Sequence, residues 1–159
     1  MARTRRPDSL RCRHDSGIHR ARHHGTADGA QPRGGRYRFL IATVTGLAES
    51  FHFAERHGLD RELLRAVLDA GQMASSISRV KTATLASRDF EIQAGIADVL
   101  KNSRLVVDAA RAAGAAAPLL GVCRDLYAET LALGHGAADM AAVIHAIEAR
   151  STDGGGGHG

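Results

Sequence analysis

The stretch Phe39 to Asp60, FLIATVTGLAESFHFAERHGLD, constrains the fold more than any other, because it is a long helix signal that stops at Gly58 and restarts at Asp60. Apolar residues at Leu40, Val44, Leu47, Ala48, Phe51 and Ala54 recur at three- and four-residue steps, so one face of the segment is built for burial. Gly58 suits the position just past a helix end, where a left-handed backbone costs glycine nothing. Asp60 then offers its carboxylate to the unpaired backbone donors of a second helix, Arg61 to Ala70, which Gly71 closes. Two helices joined this tightly are expected to pack on each other.

The helical punctuation continues. A polar passage leads to a third helix over Ile77 to Leu85, with Ile77, Val80 and Leu85 as inward positions. Ser87-Arg88-Asp89-Phe90 reads as a turn with Phe90 as its buried anchor. Val99, Leu100, Leu105, Val106, Ala109 and Ala113 give helical spacing over Ala97 to Ala113, and Gly114 ends it. Pro118 opens a fifth helix, where its missing N–H is no loss, and Leu119, Leu120, Val122, Cys123, Leu126, Tyr127 and Leu131 follow. Gly134-His135-Gly136 breaks that helix, and Asp139 caps or begins a last one through Met140, Val143, Ile144 and Ile147. No segment reads as a strand. The fold class is therefore all-α, a bundle of five or six helices.

Charge divides the chain. Residues 1–38 hold 10 Arg and 3 Asp, a net of +7, while the remainder holds 11 basic and 14 acidic residues, a net of −3. The whole-chain +4 thus comes from the head alone, which has too few apolar residues to order itself. The expected organisation is a disordered basic head over 1–38, a helical domain over 39–150 and a flexible Gly-rich tail over 151–159. No apolar run approaches the ~20 residues that span a bilayer, and the head lacks the apolar middle of a secretory signal. Its Arg-rich, acid-poor character resembles a transit peptide only faintly, without the amphipathic leucine pattern. Cys12 and Cys123 make no disulfide framework and fit a reducing cytoplasm.

Three segments carry a resemblance to the C-terminal helical domain of the β-hydroxyacid dehydrogenases, the group that includes 3-hydroxyisobutyrate and 6-phosphogluconate dehydrogenases. Leu47-Ala48-Glu49 with Ala54-Glu55-Arg56-His57-Gly58-Leu59-Asp60 is similar to that family's long helix and its Gly-Leu-Asp exit. Arg88-Asp89-Phe90, then Val99-Leu100-Lys101-Asn102-Ser103-Arg104-Leu105, resembles its Lys-Asp helix. Gly134-His135-Gly136-Ala137-Ala138-Asp139-Met140-Ala141-Ala142-Val143 is similar to its Gly-x-Gly-x-x-Asp-x-x-Ala terminus. Their order and spacing cover roughly residues 39–149. The resemblance implies a domain that lines one side of an NAD or NADP site and a small-hydroxyacid site, and that forms a subunit interface. In the family an N-terminal Rossmann domain holds the dinucleotide.

The resemblance also implies where catalysis should sit, and there the chain departs. A lysine early in the long helix serves the family as general acid or base, with an asparagine one turn later. Counting back from Glu49, those places fall on or near Arg33 and Tyr37, and neither matches. Arginine stays protonated at any working pH and cannot exchange the proton that hydride transfer at a hydroxyl requires. No catalytic residue is therefore assigned. Lys101 falls on the lysine of the Lys-Asp pair, at the cofactor side of the family's cleft, and its partner carboxylate is replaced by the neutral Asn102. Lys101 and Asn102 are the cofactor-side candidates, weighed against a solvated helix face.

Other motifs read more simply. Gly154-x-Gly156-x-x-Gly159 fits the dinucleotide fingerprint in letters only, since it ends the chain with no strand before it or helix after it. Cys12, His14, His19, His23 and His24 match no structural zinc spacing, so no metal site is assigned. Arg3, Arg5, Arg6, Arg11 and Arg13 attract phosphate without the aromatic residues that read bases, so nucleic acid is not an expected partner. His52 and His57 read as surface or interface histidines; the resemblance implies that Ser75, Ser76 and Ser78 border the substrate cleft, and helix capping explains them as well.

The expected function is the cleft-lining and dimerising domain of a dehydrogenase, truncated and inactive alone, holding no dinucleotide stably without a Rossmann-containing partner. The alternative is a non-catalytic helical module that associates with itself or with a relative. The head's Arg, His, Gly and Pro bias also resembles a GC-rich gene translated out of frame.

Overall fold

The computed structural model describes residues 31–153. The expected disorder of residues 1–30 and flexibility beyond 153 lie outside the described residues. Within these described residues six α-helices follow one another: α1 (Gln31–Arg56), α2 (Arg61–Ala70), α3 (Ser76–Ser87), α4 (Ile96–Ala112), α5 (Pro118–Ala132) and α6 (Ile144–Asp153), with a 3₁₀ turn, Met140–Val143, leading into α6. Among the described residues there is no strand, only a single antiparallel bridge between Gly95 and Asp139. The all-helical expectation holds.

Local chemistry sets the boundaries. Asp60 Oδ1 accepts from Leu63 N at 2.9 Å and starts α2. Ser75 and Ser78 form a reciprocal capping box at the start of α3, which accounts for those serines structurally. Gly58, at φ 72°, ends α1 with Leu59 N donating to Ala54 O at 2.9 Å and Gly58 N to Glu55 O at 3.0 Å. Gly134, at φ 93°, ends α5 in the same left-handed region.

α1 is the central helix and touches each of the others. Ile41, Val44, Ala48 and Phe51 form its fully buried stripe, against Leu85 of α3, Ile96 and Val99 of α4, Tyr127 of α5 and Val143 and Ile144 ahead of α6. Burying such side chains supplies about 1.5–3 kcal/mol each before entropy is charged against it.

Several boundaries and facings differ from the sequence reading. α1 begins at Gln31 rather than Phe39, because Gly34 and Gly35 sit inside the helix instead of breaking it, and Tyr37 packs partly on the core. α6 continues through Ser151, Thr152 and Asp153, inside the segment assigned to the tail. Leu105, Leu119, Val122 and Val80, expected inward, are 60%, 63%, 51% and 40% exposed. Helical spacing fixes a face only to within a residue or two: Leu120, Cys123 and Lys81, each one position on, and Val107, two positions beyond Leu105, are the buried ones. Phe90 is partly buried against the core rather than sealed in it.

Candidate functional site

The polar centre of the bundle is an ion pair that the sequence reading did not single out. Lys81 of α3 and Asp139 ahead of the 3₁₀ turn have side chains only 2% and 1% exposed. Lys81 Nζ donates to Asp139 Oδ1 at 2.9 Å and to Oδ2 at 2.8 Å, with Gln93 Oε1 a third acceptor at 3.4 Å. Asp139 also accepts from the backbone N–H groups of Ala94 (3.1 Å), Gln93 (3.3 Å) and Ala141 (3.0 Å). Burial alone would raise its carboxyl, but Lys81 and the N–H donors of Ala141 and Ala94 outweigh it and hold the group below its ordinary value. Sequence placed Asp139 as a cap, and it is one: the carboxylate starts the 3₁₀ turn through Ala141 N.

This pair stitches two chain segments together. Asp139 N donates to Phe90 O, Met140 N to Ala94 O, Ile96 N to Ala138 O and Ala97 N to Gly136 O. The start of α4 is thereby fixed on the Gly134–Asp139 turn. Lys101 and Asn102 follow one turn into α4, with Lys101 exposed and Asn102 half-buried. They lie on a helix with a firmly held beginning, outside the sealed Lys81–Asp139 centre.

A second polar cluster sits nearer the surface. Arg88, the α3 C-cap at φ 59°, donates from Nη2 to both Glu55 of α1 and Glu148 of α6. Burial would lower the arginine's value, but the two carboxylates raise it further; Glu148 is correspondingly held low by Arg88 and His145 against the opposing effect of burial. An open depression lined by Glu55, Gly58, Leu59, Asp60, Arg61 and Arg88 lies beside it. Its opposite charges already neutralise one another.

A groove of about 500 Å³ runs between α1, α5 and α6. Phe53, Leu119, Val122 and Ile147 give it apolar walls, with Thr45, Gly46 and Cys123 beneath and His52, Arg150 and Ser151 at one end. Burial raises the Cys123 thiol, which makes it a packing residue rather than a nucleophile. The hydroxyls of Thr45 and Tyr127 are buried with no hydrogen-bond partner among the described residues. Burial pushes the Tyr127 phenol well above its usual value, so it stays protonated.

The remaining candidates resolve as follows. His52 pairs with Ser151 Oγ at 2.8 Å and His57 with the Phe53 carbonyl at 2.8 Å, so both serve the fold. Arg33 lies in the first turn of α1 and Tyr37 one turn on, half-buried against the core. Among the described residues no group of three or more His, Cys, Asp or Glu side chains is placed to hold a metal ion. Among the described residues no helix is long and apolar enough to cross a membrane.

Comparison with known proteins agrees with this architecture. Residues 39–147 match the family described as the NAD-binding domain of NADP-dependent 3-hydroxyisobutyrate dehydrogenase. The solved 3-hydroxyisobutyrate dehydrogenase of Salmonella typhimurium superposes with a TM-score of 0.70 at 20% identity, over 74% of this chain and 41% of that one. The Mycobacterium tuberculosis 3-hydroxyisobutyrate dehydrogenase, solved with L-serine, gives 0.64 at 28% identity, over 73% of this chain and 42% of that one. The chain thus spans less than half the length of either enzyme. No curated protein matches it.

Proposed function

This chain belongs to the family of the NAD-binding domain of NADP-dependent 3-hydroxyisobutyrate dehydrogenase, and from that premise we propose that its helical domain supplies one wall of an NAD(P) and small-hydroxyacid cleft. The observation that carries this reading is the continuous family match over residues 39–147, which includes α4 with Lys101 and Asn102. When bound, the nicotinamide supplies hydride acceptance. The chain's own residues fit only part of such a ligand. Lys101 presents an exposed ammonium suited to a phosphate or ribose oxygen, and Asn102 a neutral amide beside it. A pyrophosphate cradle is built from a glycine-rich turn between strand and helix, and the described residues contain no strand.

Catalysis is the weaker half of the fit. The position matching the family's proton-exchanging lysine falls on or near Arg33, whose guanidinium cannot cycle its proton at neutral pH. We therefore assign the chain to a non-catalytic part: it orients cofactor and substrate when a dinucleotide-binding domain, in the same polypeptide or another, faces α4. The 159-residue chain alone is inactive in this reading. A reducing cytoplasm is its proposed compartment, on its two-cysteine content.

The test is complementation. Purified chain is mixed with the dinucleotide-binding domain of a full-length relative, and NAD(P)H affinity is followed by fluorescence. A tighter complex than the added domain gives alone, lost on Lys101→Ala, supports the assignment; no gain overturns it.

Self-association is a second reading favoured by a specific surface. Phe39 and Phe53 of α1 and Leu119 and Val122 of α5 are each more than half exposed, and three of the four line the α1–α5–α6 groove. A second copy of this chain is the proposed occupant. Sedimentation of the full chain should give a dimer that Phe53→Asp dissociates, and a monomer at every concentration would remove this reading.

A further inference from the structure

Phe90, His135 and His145 bring three rings together where the α3–α4 connection, the Gly134–Gly136 turn and α6 meet. The imidazoles of His135 and His145 are stacked, with centroids 4.3 Å apart and planes inclined by 22°. Phe90 meets His145 edge-on at 5.1 Å. His145 Nδ1 stands 3.1 Å from Glu148 Oε2. A carboxylate only accepts, so Nδ1 carries the hydrogen, and Nε2 is the atom left to take a further proton. Glu148 also accepts from Arg88 at the α3 C-cap, which in turn reaches Glu55 of α1. The charged groups around the pair are thus Glu148 on α6, Arg88 after α3 and Glu55 on α1, while the titratable neighbour of His135 is His145 itself.

We propose that this stack is an acid-released clasp: with at most one proton shared between its imidazoles it holds the Gly134–Gly136 turn against α6, and a second proton splits it and frees the turn. Glu148 is the carboxylate that His145 Nδ1 meets, and among the described residues His135 has no such partner. His135 resists the second proton, since partial burial first and then the neighbouring His145 lower its affinity below the ordinary histidine value. Two imidazolium rings in face-to-face contact repel, and among the described residues the one carboxylate hydrogen-bonded to the pair already serves His145 and Arg88.

Release would be felt beyond the two rings. His135 N donates to Thr130 O at 3.2 Å and Ala138 N to His135 O at 3.0 Å, while the neighbouring Gly136 O accepts from Ala97 N at 3.3 Å. Opening the clasp therefore loosens the end of α5 and the first turn of α4 together, leaving the Lys81–Asp139 pair and the backbone bonds of Asp139 and Met140 to Phe90 and Ala94 as the remaining ties. The clasp acts on this chain's own fold and requires no dinucleotide.

Amide hydrogen exchange of the full chain tests this, with protection factors corrected for intrinsic rates at about pH 7.5 and about pH 5. The expected result is an approximately tenfold fall in protection at Ala97 and Ala138 on acidification, with Leu126 and Tyr127 in mid-α5 unchanged. His135→Phe keeps a ring and removes the titration, so in that variant protection at Ala97 and Ala138 should no longer depend on pH. A flat wild-type response, an equal fall in the variant, or a fall spread uniformly over the chain overturns the proposal. Should His135→Phe fail to fold, the wild-type His135 NMR titration decides: a midpoint below the ordinary histidine value, with the ring-stacking shifts vanishing as His135 takes its proton, supports the clasp, and a midpoint at the ordinary value with the stacking shifts unchanged refutes it.

Discussion

The chain contains two lysines, and they stand in opposite surroundings. Lys81 is sealed in the bundle, 2% exposed, with both oxygens of Asp139 as acceptors; Lys101 stands in solvent on α4. The contrast separates two jobs that the residue type alone does not distinguish. A buried ammonium is a costly group that persists only because a carboxylate and its hydrogen bonds compensate it, so Lys81 marks a structural joint. An exposed ammonium keeps its charge available, and Lys101 is the one we propose to face a cofactor.

Breaking the joint should give the largest effect. Asp139→Ala leaves Lys81 unpaired and strips an acceptor from three backbone N–H groups, so chemical denaturation should show a loss at the upper end of about 3–5 kcal/mol, or no folded state. Lys81→Met should cost less, on the order of 3 kcal/mol, because those N–H donors still satisfy the Asp139 carboxylate. If both variants behaved like surface substitutions, the joint would have no structural weight.

Acid should weaken the same joint from the other partner. The Asp139 carboxyl is held below its ordinary 3.8, so the unfolded chain takes up a proton that the native chain refuses. That stabilisation is complete above the unfolded value and drains as pH falls through the lower folded one. Glu148, held below its ordinary 4.5, adds a loss of the same sign over a nearby range. Thermal melts between about pH 6 and about pH 3 should show a steep fall in Tm below about pH 4.5 for the wild type and a shallower one for Glu148→Gln.

The Arg88 cluster provides the intermediate case. Its side chains are 22–29% exposed, and Glu148→Gln leaves Glu55 still paired with Arg88, so the expected cost near neutral pH is about 1 kcal/mol. At the far end, Lys101→Ala should change stability by less than about 0.5 kcal/mol while reducing cofactor affinity in the complemented complex. A large stability loss at Lys101 would erase the distinction between the two lysines.

How much of this was legible in the sequence differs element by element. The α1–Gly58–Asp60–α2 corner is written locally, since the glycine, the capping carboxylate and the apolar period all act within a few residues. The start of α1 was not, because residues 31–38 share the Arg- and Gly-rich composition of the head, and the helix runs through Gly34 and Gly35 all the same. Lys81 was missed for a physical reason. Its partner lies 58 residues away, and a lone lysine in a polar segment reads as solvated. One signal was present: Ile77, Lys81 and Leu85 are spaced by four, so an inward Leu85 turns Lys81 inward with it. Taking Val80 as the inward residue rotated that face by one position. The groove was equally hidden, because α1, α5 and α6 meet only in three dimensions.

The helical domain is proposed to line a cofactor cleft without being able to run the reaction itself. The direct measurement is NAD(P)H absorbance after adding NAD or NADP and a panel of β-hydroxyacids to the purified 159-residue chain. We expect no reduction above a protein-free blank at any pH at which the chain stays folded. Sustained cofactor reduction, proportional to protein concentration and abolished by heat unfolding, would contradict it.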